Sequence, residues 1–183
     1  LALIPQSLNA LDPLARSQHQ VRWAAQRAGF GRSAAQQRAD ELLSRYQLSH
    51  ASTHYPHELS GGMARRVLIA MAQVSNARLV IADEPSVGLD PNQRDRVLAA
   101  LKAIALEGKA VMLITHDLRH ALTIADRVSV ICQGQALETA CANLVAGATG
   151  KRVQHAAQIR APGASLCLKP INYRFTLRQA RPC

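Results

Sequence analysis

The sequence predicts an α/β domain built on a parallel sheet, and three observations predict it. Leu79-Val80-Ile81-Ala82 and Ala110-Val111-Met112-Leu113-Ile114 are apolar runs without polar alternation, the pattern of strands covered on both faces. A stretch with helical signals separates each such run from the next, which implies right-handed strand–helix–strand units with functional residues at the carboxyl ends of the strands. Both runs also end in residues able to do chemistry, Asp83-Glu84 after the first and Thr115-His116-Asp117 after the second.

The elements follow in order. The chain opens at Leu1 in what reads as a strand leading to Gln6. Residues 16–28 are rich in Ala, Gln and Arg and read as a helix, closed by Gly29 at a position that tolerates a left-handed backbone. Ser33-Ala34-Ala35-Gln36 has the form of a capping box, and Ala39, Leu42, Leu43 and Tyr46 recur behind it at helical spacing. Ser60 opens a third helix whose residues Met63, Val67, Ala70, Met71 and Val74 mark one buried face. Pro91 in a first turn and Gly108 just past an end frame a helix of about four turns. Residues 117–126 form the next helix, followed by the strand Val128-Ser129-Val130-Ile131-Cys132 and a turn at Gln133-Gly134-Gln135 into a hairpin strand. From Gly147 onward the periodicity fails, broken by Pro162, Gly163 and Pro170, so residues 147–183 are expected to form a basic, irregular tail.

Composition narrows the function classes. A chain of 183 residues, 48% hydrophobic and 19% charged, suits one globular domain. No apolar run approaches the ~18–20 residues a membrane span needs, and no charged segment followed by a long apolar stretch opens the sequence. The formal charge of +10 is unevenly placed: residues 1–150 carry 15 basic and 12 acidic side chains, whereas residues 151–183 carry seven basic and no acidic ones. The basicity belongs to the tail, and no nucleic-acid partner is expected for the domain. Cys132, Cys141, Cys167 and Cys183 lack C-x-x-C spacing and read as reduced thiols. His50, His54 and His57 fall in a stretch broken by Pro56 and are not read as a metal site.

Two motifs carry the chemistry. Leu59-Ser60-Gly61-Gly62-Met63 places Ser and two glycines at a helix start, where free N–H groups and the dipole attract an anion. Val80-Ile81-Ala82-Asp83-Glu84-Pro85 presents adjacent carboxylates at a strand tip. No G-x-x-x-x-G-K-[ST] phosphate loop occurs in the 183 residues. Gly150-Lys151 is a decoy, with Val145 in place of the first Gly and Arg152 in place of the Ser/Thr.

Together these motifs resemble the ATP-binding subunit of an ABC transporter. The resemblance runs from Leu1 to about Leu144 and adds a glutamine loop (Ile4-Pro5-Gln6), a D-loop (Ser86-Val87-Gly88-Leu89-Asp90) and a switch histidine, His116. Ser60 stands 23 residues before Asp83, and Glu84 stands 32 before His116, in the family's order. The stretches around Ile4–Pro13 and Tyr55–Met63 resemble the peptide/nickel importer branch in particular.

The resemblance implies a P-loop NTPase-type parallel core over residues 1–146, without its phosphate-loop part, and an inserted helical subdomain at 14–58. It implies ATP and Mg²⁺ as cofactors. Asp83 would bind the water shell of Mg²⁺, Gln6 would contact the ion or its water, Glu84 would polarise the attacking water and His116 would contact the γ-phosphate. Ser60, Gly61 and Gly62 would close over ATP held by a second ATP-binding subunit, and Asp90 would reach across to that subunit. Transmembrane permease subunits and, indirectly, a substrate-binding protein would be partners, with the chain peripheral at the cytoplasmic face of the membrane. Leu1 stands in place of Met inside a strand, so an N-terminal truncation is expected. Two alternatives stand beside an ATP-hydrolysing importer subunit: a partner that supplies only the signature face, and a decayed gene product. One departure is Arg65-Arg66, where many members have Gln-Arg.

Overall fold

The structure is a computed structural model that describes residues 1–132, 135–141 and 165–169. Its six-stranded sheet has the order β1-β2-β3-β6-β4-β5. Strands β1 (Ala2–Ile4), β2 (Leu79–Asp83) and β3 (Ala110–Thr115) pair in parallel, with Ile4 opposite Ala82 and Asp83 opposite Ile114. β4 (Arg127–Cys132) and β5 (Gln135–Cys141) form an antiparallel hairpin. β6 (Ser165–Lys169) lies between β3 and β4 and runs antiparallel to both. The remainder of residues 147–183 and the turn at 133–134 lie outside the described residues.

Helix α3 (Gly61–Val74) packs in the centre of the domain and touches α1 (Ser17–Arg27), α2 (Arg32–Arg45), α4 (Pro91–Leu106) and β1. Sequence spacing gives it one buried face; the structure buries it on almost every side, from Ala64 through Ala70 without a break. Arg65 and Arg66 are buried with it, at 5% and 3% exposure, because their guanidinium groups find backbone carbonyls to satisfy them. The face of the sheet under α3 and α4 is apolar and closed, with Ile4, Val80, Ala82 and Leu113 all buried. Leu3, Ile81 and Met112, which share a register row, are less covered, so β2 is not shielded equally on both faces as its apolar run suggested.

Helix ends follow local chemistry, with one correction. The Ser60 hydroxyl caps α3 by accepting from Met63 N–H at 3.3 Å, and Asp90 caps α4 by accepting from Gln93 N–H at 3.0 Å. Ser33 does not cap α2: the helix begins one residue earlier, at Arg32, with Gly31 in extended geometry as its cap residue and no side-chain cap. Gly29 does take the left-handed backbone expected of it, at φ +100°. Helix α5 (Leu118–Ile124) then links the tip of β3 to β4. No helix among the described residues is long and apolar enough to cross a membrane.

A polar network joins α2 to the core. Tyr46 just past α2 donates its buried hydroxyl to the Gln73 side chain, whose amide donates to Glu107 Oε2 at 2.6 Å. Glu107 also pairs with Arg45, and Lys109 Nζ donates to the carbonyls of Gln73 and Ser75. Burial pushes the Tyr46 phenol up to about 12. Burial alone would raise the Glu107 carboxyl, but hydrogen bonds from Gln73 and Arg45 outweigh it and hold the group below its ordinary value. A depressed carboxyl contributes stability that is present above the unfolded value of 4.5 and is lost as pH falls through the lower folded value. Glu107→Gln should therefore lower Tm at about pH 7 and lose that penalty near about pH 3, measured by thermal denaturation across pH. An equal Tm deficit at both pH values contradicts the network's charge role.

Candidate functional site

Parallel pairing brings the carboxyl ends of β1, β2 and β3 to one edge of the sheet, and the candidate residues follow directly from those ends. Gln6 lies two residues past Ile4 and is exposed; Asp83 ends β2; His116 follows Thr115, the last residue of β3. The turn out of β2 is unusual. Glu84 adopts φ +44°, a left-handed backbone that costs a non-glycine residue about 1–2 kcal/mol. Its N–H still bonds to Ile114 O at 2.9 Å, so the strand pairing holds while the side chain swings across to β3.

There the Glu84 carboxylate is gripped at both oxygens. Oε2 accepts from the Thr115 hydroxyl at 3.1 Å; Oε1 accepts from the His116 backbone N–H at 2.9 Å and lies 2.7 Å from His116 Nδ1. With its proton on Nδ1 the imidazole donates to Oε1 and turns Nε2 outward. These charge-assisted bonds offset the backbone strain and fix one orientation of the carboxylate. The His116 side chain is 69% exposed while that of Glu84 is 16% exposed, so the pair is anchored at the acid and open at the imidazole. Thr115 completes the grip by accepting from Asp117 N–H at 3.1 Å. Sequence reasoning named Thr115 only as a neighbour of His116; its placement opposite Glu84 follows from strand register, which the sequence does not display.

A cleft of about 250 Å³ opens beside this pair, lined by Glu84, the Ser86–Leu89 turn, Arg94, Thr115, His116 and Asp117. Gln6, Asp83, Asp90, Ser60, Gly61 and Gly62 do not line it. Asp83 sits half-buried at the sheet edge, near enough to Arg65 for its charge to act on that guanidinium. Burial lowers Arg65 from its ordinary value, and the charges of Asp83 and Glu84 oppose that shift. Arg65 Nη1 donates to Pro5 O at 3.1 Å, tying the segment before Gln6 to α3. Among the described residues no cluster of three or more His, Cys, Asp or Glu forms a metal cage. One accessible carboxylate suits an ion such as Mg²⁺, which keeps most of its waters and takes its remaining oxygens from a phosphate ligand.

Ser60, Gly61 and Gly62 are brought together elsewhere, against the turn into α4. A Cβ on Gly61 would meet Leu89 Cδ2 at 3.6 Å, an ordinary contact, whereas one on Gly62 would meet Gln93 Cβ at 2.9 Å and Oε1 at 2.5 Å. Gln93 is itself held, since Oε1 accepts from Arg66 Nη2 at 3.2 Å. The second glycine is thus required by close packing of α3 on α4, and the pairing seats the start of α3 against Leu89 and Gln93, on either side of the α4 cap Asp90.

The ATP-binding cassette MJ0796, solved as a dimer in a post-hydrolysis state bound to ADP and Pi, superposes with a TM-score of 0.66 at 27% identity, covering 77% of this chain and 63% of that one. The chain has the fold of an ABC transporter ATP-binding domain. The ABC transporter family matches residues 1–87. Similar proteins include the oligopeptide transport ATP-binding protein AppD of Bacillus subtilis, 44% identical over 58% of this chain and 34% of AppD. The glutamine transport ATP-binding protein GlnQ of Escherichia coli is 36% identical over 60% of this chain and 46% of GlnQ. The macrolide export ATP-binding/permease protein MacB of Rhodospirillum rubrum is 41% identical over 61% of this chain and 17% of MacB. The chain spans less than half the length of each of these relatives, which include both import and export proteins.

Replacing Gly62 by Ala should destabilise the domain by about 1–3 kcal/mol, because the added methyl meets both Gln93 Cβ and the Oε1 that Arg66 holds in place. Gly61→Ala should change stability by no more than about 0.5 kcal/mol. Urea unfolding of the two variants checks this; equal effects contradict the packing role assigned to Gly62.

Proposed function

We propose that this chain supplies the carboxylate, histidine and signature elements of an ATP-hydrolysing subunit in an ABC-type membrane importer. The observation that carries the reading is the Glu84 carboxylate, oriented by Thr115 and His116 at the mouth of a cleft on the common strand tip. In this reading Glu84 holds the attacking water and takes its proton as the water oxygen bonds to the γ-phosphorus and the bond to the β-phosphate oxygen breaks. His116 faces the γ-phosphate with its free ring nitrogen. Such transition states are loose, so orientation and charge neutralisation do most of the catalysis. Mg²⁺, reached from Asp83 and Gln6 partly through water, would neutralise phosphate charge when bound.

The β/γ-phosphates need a Gly-rich loop with its Lys, a pattern the 183 residues do not contain. We therefore assign the phosphate cradle to other polypeptide sequence. The Ser60 helix start, outside the chain's own cleft, is suited to close over a nucleotide held on a second ATP-binding subunit, with Asp90 beside it. Similarity to AppD and GlnQ supports import, and the motif stretches around Gln6 and Ser60 favour the peptide, nickel or metal-chelate class of substrate. Permease subunits, an indirect substrate-binding protein and a peripheral position at the cytoplasmic face of the membrane follow from the same reading. We also propose that residues 1–146 are the ABC-type unit, with 14–58 as its helical subdomain.

A second reading is favoured by the missing phosphate loop: a partner that lends only its signature face. The two separate in one experiment. ATP hydrolysis is measured for this chain mixed with an ABC subunit that carries a phosphate loop, once with that subunit's own catalytic carboxylate intact and once with it replaced by Gln. Catalysis by Glu84 predicts turnover with the Gln-substituted subunit that falls at least about 100-fold with Glu84→Gln. Turnover that needs the subunit's own carboxylate, is unchanged by Glu84→Gln and is abolished by Ser60→Arg leaves the signature-only reading standing and sinks the first.

A further inference from the structure

Arg65 is a fixed charge inside the central helix. It lies in the buried stretch of α3 from Ala64 to Ala70, and its Nη1 donates to Pro5 O at 3.1 Å. Pro5 follows Ile4, which pairs opposite Ala82, so the chain at Pro5 runs beside the strand end at Asp83, at roughly the 4.7–4.9 Å spacing of neighbouring strands. The guanidinium is thereby held near the edge from which Asp83 and Glu84 emerge, and both carboxylates act on it, Asp83 more strongly. It does not line the cleft beside Glu84 and His116. Arg65 therefore reaches the site by its charge and not by contact.

The charges around the strand tips show what such a field can do. Asp83 and Glu84 are consecutive, Asp117 and Arg94 stand on the walls of the cleft, and the Glu84 carboxylate is held by Thr115 and His116. Adjacent carboxylates at a partly open edge attract any free divalent cation. A cation set behind them opposes that attraction. A lysine on the surface could swing aside as an ion approached, whereas Arg65 is packed within α3 and bonded to Pro5 O. Salt screens a buried charge less than an exposed one, so the opposition persists at ordinary ionic strength. On a metal that arrives already bound to ATP the same charge acts with the other sign, because that complex is a net anion.

We propose that Arg65 makes the metal position at the end of β2 selective for a divalent cation already carried by a polyphosphate, by repelling the free ion and attracting the anionic complex. The inference deepens the function proposed above and rests on it for the placing of the metal at Asp83. Arg65 acts as a positioning residue that sets specificity, holding Pro5 ahead of Gln6 with one hydrogen bond and biasing the carboxylate edge with its field.

Metal binding, read without turnover, tests it. The backbone amide signals of Asp83 and Glu84 are followed on isotope-labelled chain joined to a segment that supplies a phosphate loop beside Glu84, titrated with free Mn²⁺ or with Mn²⁺–ATP. With Arg65 present, Mn²⁺–ATP should broaden both signals, and free Mn²⁺ at the concentration that saturates this effect should leave them sharp; equal broadening by the free ion overturns the proposal. That comparison needs no substitution and does not depend on any variant folding. Arg65→Met should raise the affinity for free Mn²⁺ at least about tenfold and weaken that for Mn²⁺–ATP, whereas Arg65→Lys, which keeps the charge, should stay within about threefold of the parent for both. A free-ion affinity unchanged in Arg65→Met overturns the proposal. So does a rise in Arg65→Lys as large as in Arg65→Met, since that result belongs to a lost bond to Pro5 and not to charge. Mn²⁺–ATP that broadens neither signal in any of these chains contradicts the placing of the metal at Asp83, a failure distinct from a site that binds free and nucleotide-bound metal alike.

Discussion

The parallel pairing of β2 with β3 is the constraint on which the rest of the site depends. Its register sets Asp83 opposite Ile114, so the residue after each lies at a shared edge. Glu84 can then leave its strand in a left-handed turn and still find Thr115 and His116 within hydrogen-bond reach. A shift of one residue would flip side chains to the opposite faces and separate these groups. That register is held by burial of Val80, Ala82, Val111 and Leu113, so the core and the chemistry are fixed by the same ladder.

Helix α3 supplies the second constraint. It is buried almost all round, yet it carries two arginines, each tied to the carbonyl of another segment: Arg65 to Pro5 and Arg66 to Tyr46. These bonds tie the segment before Gln6 and the end of α2 to one helix. Arg65 also sets a positive charge between Pro5 and the carboxylates at the end of β2.

Much of the fold was legible because it is written locally. Ser60 and Asp90 are helix caps by residue type, Pro91 and Gly108 frame α4, and the apolar runs at β2 and β3 lack helical spacing. What escaped was written in tertiary contacts. The Ser33 pattern looked like a cap but lies inside a helix that starts at Arg32, because a glycine in extended geometry can open a helix without a side-chain bond. Burial of Arg65 and Arg66 cannot be read from periodicity, since it depends on carbonyls 60 and 20 residues away. The grip of Thr115 on Glu84 needs the strand register, and the need for Gly62 comes from Gln93 on another helix. β6 escaped because five residues between proline-containing stretches carry too little pattern to mark a strand.

The proposed function puts the terminal phosphate of a nucleotide at the Glu84–His116 pair. Paramagnetic broadening of histidine ring signals by Mn²⁺–ATP tests this on isotope-labelled chain joined to a segment that supplies a phosphate loop beside Glu84. The His116 ring should broaden while those of His50, His54 and His57 stay sharp, and Mn²⁺ without ATP should not reproduce the effect. Broadening of the other histidines in place of His116 would contradict it.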